Sequence, residues 1–386
     1  LAAAGIEAGT PDPAGGQIVR DAAGTPTGWL VDTAMDPVQA AFERSRAALS
    51  PAERRAILLT QVRLAGQEAI SKGVTTLHDA GTDFATIDLF RELAAAGELP
   101  LRLYVMVGNE SNERLARELP RYRTIGFGGN FLTVRSIKRM ADGALGSHSA
   151  LMLEPYTDDP STSGIRVDSL ETLAGTAKLA VANDYQLNTH AIGDRANRDV
   201  LDLYERLQAK HPPLRAARWR IEHAQHVHPR EFPRFAALGV IASMQGSHAS
   251  SDGPWVPKRL GELRARERTY VWRSLINAGA MVTNGSDAPV EDIDPLAGFR
   301  SSVTRLMADG RAFYPEQRMS REEALASYTR LNAWAGFEED LKGSITPGKL
   351  ADFVVLDRDI LTVPDAELAE ARVLHTVLGG RVVYSR

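Results

Sequence analysis

Short apolar segments rich in β-branched residues alternate with amphipathic segments along most of this 386-residue chain. Strands that alternate with helices form parallel βαβ units, and apolar strands with little alternation suit a sheet covered on both faces. The sequence therefore predicts an α/β protein with a mainly parallel sheet. The predicted strands are Val74–His78, Leu101–Val107, Leu132–Lys138, Tyr185–His190, Arg218–His223, Val240–Met244 and Met281–Gly285.

Seven strands are one fewer than a closed (β/α)8 TIM-like barrel requires. The chain begins Leu1-Ala-Ala-Ala-Gly5, without Met and without the pattern of a signal peptide. We expect that barrel strand 1 lies upstream and is missing from this chain, together with any targeting signal. The alternative architecture is an open, doubly wound sheet of about seven strands.

Three segments differ in character along the chain. Residues 1–48 are rich in Gly, Pro and Asp, and we expect an irregular insertion near the active-site mouth, with a short hairpin around Asp21–Thr27. Residues 49–340 contain the predicted barrel strands 2–8. Residues 341–386 are turn-rich with short apolar strands, and they are predicted to form the C-terminal part of a small β-sandwich.

Capping boxes mark the first and last helices of the predicted barrel. Ser50 with Glu53 predicts a helix that stops near Gly73. Ser320 with Glu323 predicts a last helix that ends near Phe337.

The composition excludes several kinds of site. The chain contains no cysteine, so disulfides, thiolate metal sites and cysteine nucleophiles are excluded. The net charge is -4 and no long basic run is present, which argues against a nucleic-acid partner. No apolar stretch approaches the roughly 18 residues of a membrane span. We therefore expect no nucleic-acid or membrane partner and favour a cytoplasmic location, and a homo-oligomer is compatible with the sequence.

Four polar side chains stand at the carboxyl ends of predicted strands, where functional residues of such barrels lie. They are Lys138, His190, His223 and Asp287. Neutral imidazole and carboxylate suit zinc and similar divalent cations, which lower the pKa of a bound water to about 7. Asp287 could then accept the proton of that water and pass it to a leaving group.

Each of these residues also has a structural interpretation. A single strand-end histidine is more often a core residue, but two on adjacent strands together with Asp287 favour a site. Lys138 cannot be a ligand as an ammonium; addition of CO2 to its amine gives a carbamate that can bridge two metals. Its structural alternative is an ion pair with Asp142. The His226-Val-His228 sequence looks like an HxH metal motif, but it follows the end of its strand and is predicted to lie in a loop or at the surface.

Several stretches around these residues resemble the amidohydrolase superfamily, and more narrowly its amidohydrolase family 3 branch, typified by N-substituted formamide deformylase. The stretches are Met140-Ala-Asp-Gly-Ala-Leu-Gly-Ser147 after Lys138, Thr189-His-Ala-Ile-Gly-Asp-Arg195, Ile221-Glu-His-Ala-Gln225, Gly285-Ser-Asp-Ala-Pro-Val290 and Gly348-Lys-Leu-Ala-Asp352. The resemblance implies a barrel with an appended β-sandwich and one or two zinc-type ions. It also implies hydrolysis of a non-peptide C–N bond in a small amide-like substrate.

The same resemblance implies roles for individual residues. His190 and His223 become metal ligands, Asp287 a ligand and proton shuttle, and Lys138 the candidate carbamylated lysine. The family's first-strand His-x-His pair is not found in this sequence, so we expect the chain as given to bind metal poorly. Four further residues fall at motif positions near the pocket and are candidate substrate contacts: Asp142, Arg195, Gln245 and His248.

Two other functions are compatible with the sequence. A barrel enzyme of another class would form a Schiff base between Lys138 and a carbonyl substrate, which borohydride would trap. That function leaves His190, His223 and Asp287 without a shared purpose. A non-catalytic regulatory relative would keep its function after replacement of His190 by Asn, whereas a hydrolase would lose activity.

Overall fold

Residues 1–13 and 16–386 are described by the computed structural model, and they divide into two units, Leu1–Ala65 and Gly66–Arg386. The first unit contains an antiparallel hairpin of β1 (Gly16–Arg20) and β2 (Pro26–Asp32). The Asp21 carboxylate accepts the N–H groups of two turn residues and stabilises the reversal, as aspartate often does in turns. The predicted hairpin is therefore confirmed, whereas the domain boundaries at residues 48 and 340 and the location near the active-site mouth stay predictions.

The second unit is organised around a curled, parallel sheet formed mainly by β3 (Thr76–Thr82), β4 (Arg102–Val107), β6 (Leu132–Met140), β7 (Gln186–Ala191), β8 (Arg220–His223), β9 (Ile241–Gln245) and β10 (Met281–Gly285). Their order in the sheet is β10-β9-β8-β7-β6-β4-β3. Each strand pairs with the next parallel strand along the chain, whereas a doubly wound sheet reverses its order at a switch point. The order therefore agrees with part of a TIM-like barrel, and β3 and β10 form its two edges.

All seven predicted strands are thus confirmed, with ends displaced by a few residues. Their apolar side chains form the core; Val105, Ile137 and Leu187 are fully buried. A short strand that was not predicted, β5 (Thr124–Gly126), pairs antiparallel with β6.

Helices connect the strands, and side-chain caps define the start of several of them. Asp83, Ser111 and Ser169 each accept the backbone N–H of the third residue that follows. Among the helices formed by the described residues, none combines the length and apolar character that crossing a bilayer requires. The helices are α1 (Asp36–Ala47), α2 (Pro51–Ser71), α3 (Phe84–Ala96), α4 (Asn112–Tyr122), α5 (Phe127–Asn130), α6 (Leu170–Ala182), α7 (Asp194–Lys210), α8 (Phe232–Leu238), α9 (Gly246–Asp252), α10 (Val256–Leu260), α11 (Glu262–Arg268), α12 (Trp272–Asn277), α13 (Pro295–Thr304), α14 (Arg321–Tyr328) and α15 (Arg330–Ala335).

The predicted last helix is in fact two helices. The capping box of Ser320 and Glu323 is confirmed, but the backbone leaves the helical region at Thr329, with φ −126° and ψ −97°. The Thr329 hydroxyl donates to the carbonyl of Leu325, a side-chain bond that competes with regular helix bonding. The expectation of one continuous helix to Phe337 was therefore wrong.

A three-stranded antiparallel sheet forms the C-terminal appendage, made of β11 (Phe353–Leu356), β12 (Val373–Leu378) and β13 (Arg381–Ser385). Gly379 and Gly380 join the last two strands with φ of 57° and 78°. A two-residue turn with positive φ at both positions favours glycine, so the predicted hairpin is confirmed.

Candidate active site

The parallel strands bring the predicted site residues together at the carboxyl ends of the strands. Lys138 lies near the end of β6, His190 near the end of β7 and His223 at the end of β8, while Asp287 follows β10. The rings of His190 and His223 are in edge-to-face contact, with centroids 4.5 Å apart. Parallel pairing aligns the carboxyl ends of these strands, so residues distant in sequence become neighbours.

A compact donor cluster is formed by His223, His248 and Asp287. One potential ligand atom from each lies within 4.8 Å of the other two. The ring of His248, near the start of α9, is stacked parallel to that of His223 at 6.3 Å, and its Nε2 lies 3.7 Å from Asp287 Oδ2. His248 Nε2 is buried and finds no hydrogen-bond partner in the described part of the chain. A buried nitrogen left unpaired beside a carboxylate is an environment that a cation would complete.

Unusual backbone conformations position two of these donors. His223 and Asp287 have φ of 74° and 61°, in the left-handed region that non-glycine residues rarely occupy. Such a conformation costs on the order of 1–3 kcal/mol and persists where the surroundings determine it, often at functional sites. The chain therefore turns sharply just where these side chains meet.

Burial determines the charge state of the clustered groups. It holds the pKa of His223 well below its usual range, an effect that the neighbouring His190 and Lys138 reinforce. Burial also lowers the pKa of Lys138, although Glu222 and Asp287 oppose this shift. The pKa of Asp287 is raised by burial and lowered in part by His248 and Lys138. The lowered pKa of His223 favours the neutral imidazole that binds a cation, and the lowered pKa of Lys138 favours the neutral amine to which CO2 adds.

Two polar residues beside Lys138 were missed by the sequence analysis. Asn188 is paired in register with Lys138 and fully buried, and neither of its side-chain polar atoms has a partner among the residues described. Glu222 Oε1 is similarly buried and unpaired within those residues. Asn188 stands two residues before His190, so the alternation of a strand would have placed it on the same face.

The Asp142 side chain is buried and bonded to the backbone rather than open to a substrate. Its carboxylate is fully buried and accepts three backbone N–H groups, those of Leu151, Ile192 and Gly193, at 2.8–2.9 Å. Its Oδ1 also lies 3.4 Å from His190 Nε2. These contacts favour a role in holding the loop after β6 against the end of β7 over the predicted substrate contact.

The other candidate substrate contacts differ in their surroundings. Arg195 pairs with Asp199 one turn along α7 at 2.9 Å, and its side chain is 52% exposed, which favours a structural role. Gln245, at the end of β9, has its Oε1 2.9 Å from His223 Nδ1. Its Nε2 donates to the carbonyl of Ser243, so the amide oxygen faces the imidazole. His223 then donates from Nδ1 and keeps the Nε2 lone pair free.

The HxH-like sequence after β8 lies in a loop, as one of the two predicted locations required, and its two histidines differ in exposure: His226 is buried and His228 half-buried. His226 lies in the predicted loop, but it is fully buried, with its Nδ1 3.0 Å from Thr269 Oγ1. Backbone pairing with Thr269 covers the loop, and burial lowers the pKa of His226 to about 3. The loop is therefore covered by a later segment, and His226 is a buried structural residue rather than a surface one.

Known proteins resemble this chain over most of its length. A model described as the amidohydrolase family matches residues 1–384. Protein LONG AFTER FAR-RED 3 of Arabidopsis thaliana is 35% identical over 397 residues, which covers 100% of this chain and 66% of that protein. The N-substituted formamide deformylase of Arthrobacter pascens is 29% identical and covers 99% of this chain and 70% of the deformylase. The chain thus spans about two thirds of the length of these relatives.

The fold is also shared with solved structures. An uncharacterized metal-dependent hydrolase from Pyrococcus horikoshii superposes with a TM-score of 0.74 at 27% identity. The match covers 87% of this chain and 65% of that one. This chain therefore shares the fold of that metal-dependent hydrolase over most of its length.

Proposed function

Because this chain belongs to the amidohydrolase family, we propose that it is a metal-dependent hydrolase that cleaves a non-peptide C–N bond of a small amide-like substrate. The observation that carries the proposal is the convergence of buried histidines and a carboxylate at the carboxyl edge of one parallel sheet. The deformylase among the similar proteins supports hydrolysis of a C–N bond, and the archaeal metal-dependent hydrolase supports dependence on a metal.

The donor set of the site suits a divalent cation. We assign His190, His223 and Asp287 as ligands, and imidazole nitrogen with carboxylate oxygen favours zinc, as one or two ions. The unpaired, buried Nε2 of His248 beside Asp287 agrees with a cation at this place. When bound, such a cation supplies a nucleophilic water at neutral pH and a Lewis acid for a carbonyl oxygen.

The side chains of this chain supply proton transfer and exclusion of bulk water. Asp287 accepts the proton of the attacking water at a carboxylate oxygen and delivers it to the nitrogen that leaves. Because burial raises its pKa, Asp287 is a stronger base than an exposed aspartate. His190, His223 and His248 are each at most 8% exposed, so these imidazoles are shielded from bulk solvent. The Asp287 side chain is 33% exposed and can be reached from outside the cluster.

Lys138 is the proposed site of carbamylation. CO2 adds to a neutral amine, and burial lowers the pKa of Lys138 in that direction. The unpaired amide of Asn188, in register with Lys138, is available to donate to such a carbamate. The lowered pKa would also suit a Schiff-base lysine, but that role gives His190 and His223 no function.

Removal of metal tests the proposed function. We expect hydrolysis of N-substituted formamides and related amides to disappear after treatment with a strong chelator and to return with added zinc. Release of the amine product measures the reaction, and the same chelator already saturated with zinc serves as the matched control. Activity that survives chelation, or that borohydride abolishes in the presence of substrate, would contradict the proposal and favour Schiff-base chemistry.

Replacement of Gln245 by Leu should weaken zinc binding by about 10–100-fold, because His223 would lose the acceptor that orients its ring. Competition with a chromophoric chelator measures the affinity. Gln245→Glu keeps an acceptor oxygen and should bind zinc nearly as the unmodified protein does. If Gln245→Leu instead raises KM at unchanged zinc affinity, Gln245 contacts substrate, as the sequence resemblance implies.

A further inference from the structure

We propose that His248 is itself a metal ligand, and that it holds a divalent cation together with His223 and Asp287. The inference rests on the proposed function and deepens it, since the family resemblance places His248 only near the substrate. It also changes one expectation from the sequence: a chain with three donors in place should bind a cation measurably as it stands.

The separation of the donor atoms suits one ion. Donors about 2.1 Å from a zinc ion lie about 3.4 Å apart in tetrahedral geometry. His248 Nε2 and Asp287 Oδ2 are 3.7 Å apart, already close to that separation. The three donors of the cluster lie within 4.8 Å, so rotation of side chains is enough to bring them to bonding distance.

A direct interaction between His248 and Asp287 does not satisfy the buried His248 nitrogen. A distance of 3.7 Å is too long for a hydrogen bond between an imidazole and a carboxylate. His248 Nε2 is buried, and residues 1–13 and 16–386 offer it no other hydrogen-bond partner. Leaving such a nitrogen unpaired is costly, whereas a cation between the two side chains would pair both.

The neighbouring contacts direct the other nitrogens. The amide oxygen of Gln245 accepts a hydrogen bond from His223 Nδ1, which leaves the Nε2 lone pair of His223 free for a cation. His190 Nε2, by contrast, lies 3.4 Å from both the carbonyl of Gly143 and Asp142 Oδ1. The unpaired nitrogen of His248 therefore makes it a further ligand beside the assigned ones, and it does not replace His190.

Metal titration of two histidine variants tests this assignment. The probes are Zn2+ in competition with a chelator and Co2+ followed by its visible absorption, neither of which requires catalysis. We expect His248→Ala to weaken zinc binding by more than about 100-fold, beyond the loss typical of an outer partner, and to alter the Co2+ spectrum. His226→Ala, a buried histidine outside the cluster, should bind both ions as the unmodified chain does.

The outcomes separate this inference from the proposed function. Unchanged zinc affinity and an unchanged Co2+ spectrum in a folded His248→Ala would overturn the role of His248. If His190→Ala loses the ion in that case, the hydrolase proposal stands with a different ligand set. If the unmodified chain binds neither ion, the three-donor site is refuted. His248→Asn keeps a polar group of smaller size and repeats the test should His248→Ala fail to fold.

Discussion

Replacement of Asp287 by Asn is expected to lower kcat by about 10²–10⁴-fold, the range that general acid–base catalysis contributes. Asparagine keeps the size of the side chain and an oxygen that can face a cation, but it cannot carry a proton from water to the leaving nitrogen. The loss should therefore fall on kcat, with a much smaller change in KM. Steady-state kinetics on an amide substrate, with zinc content measured in parallel, tests this expectation.

Asp292→Asn is the matched control for this variant. Asp292 lies in the same loop after β10, but its side chain is 62% exposed and pairs with Lys72. We expect its kcat to stay within about twofold, because an exposed ion pair contributes little. Full activity in Asp287→Asn at normal zinc content would remove the proton-shuttle role. A parallel loss of zinc and activity would leave Asp287 with a ligand role alone.

The ion pair between Arg102 and Asp352 is expected to have the largest effect on stability. Asp352→Ala should lower the free energy of unfolding by about 3–5 kcal/mol, because it leaves the buried guanidinium uncompensated. The two side chains are 2% and 3% exposed and are joined by two bonds of 2.6 and 3.0 Å. Asp352 also accepts the N–H of Gly379, in the turn before β13. Denaturant unfolding followed by circular dichroism measures the change.

A double replacement sharpens this test. Changing Arg102 to Met and Asp352 to Leu removes both charges, and we expect it to recover a large part of the stability lost in Asp352→Ala. The exposed pair of Asp309 and Arg311 provides a control, since Asp309→Ala should leave the unfolding midpoint unchanged. If Asp352→Ala behaves like the exposed control, the pair does not hold the C-terminal sheet to β4.

The positions of the parallel strands along the chain were predictable because they depend on short stretches of local sequence. Apolar, β-branched runs specify buried strands, and the capping box at Ser320 specifies a helix start. β5 escaped prediction because three residues are too few to show a periodic pattern. The break at Thr329 escaped prediction because a single residue leaves the helical region there, and the apolar pattern continues on both sides of it.

The candidate site was predictable only in part. Four residues could be found because the carboxyl ends of parallel strands lie side by side, so residues at those ends are expected to be close together. They are Lys138, His190, His223 and Asp287. The roles of Asp142 and Gln245 could not be predicted in this way. They depend on which atoms lie opposite the Asp142 carboxylate and the Gln245 amide in the folded chain. The sequence resemblance made these two residues candidate substrate contacts. Their hydrogen-bond partners instead favour roles in positioning a loop and the ring of His223.

By itself, the sequence determined the family resemblance, the order of strands and helices, and the residues at the edge where the site lies. These features depend on spacing along the chain, which repeats with the period of a helix or a strand. Only the tertiary structure decided which side chains meet there. His223, His248 and Asp287 come from separate βα units, and their distances arise from the curl of the sheet and from positive φ at two of the three. Burial, which sets the charge of these groups, likewise exists only once distant segments have packed together.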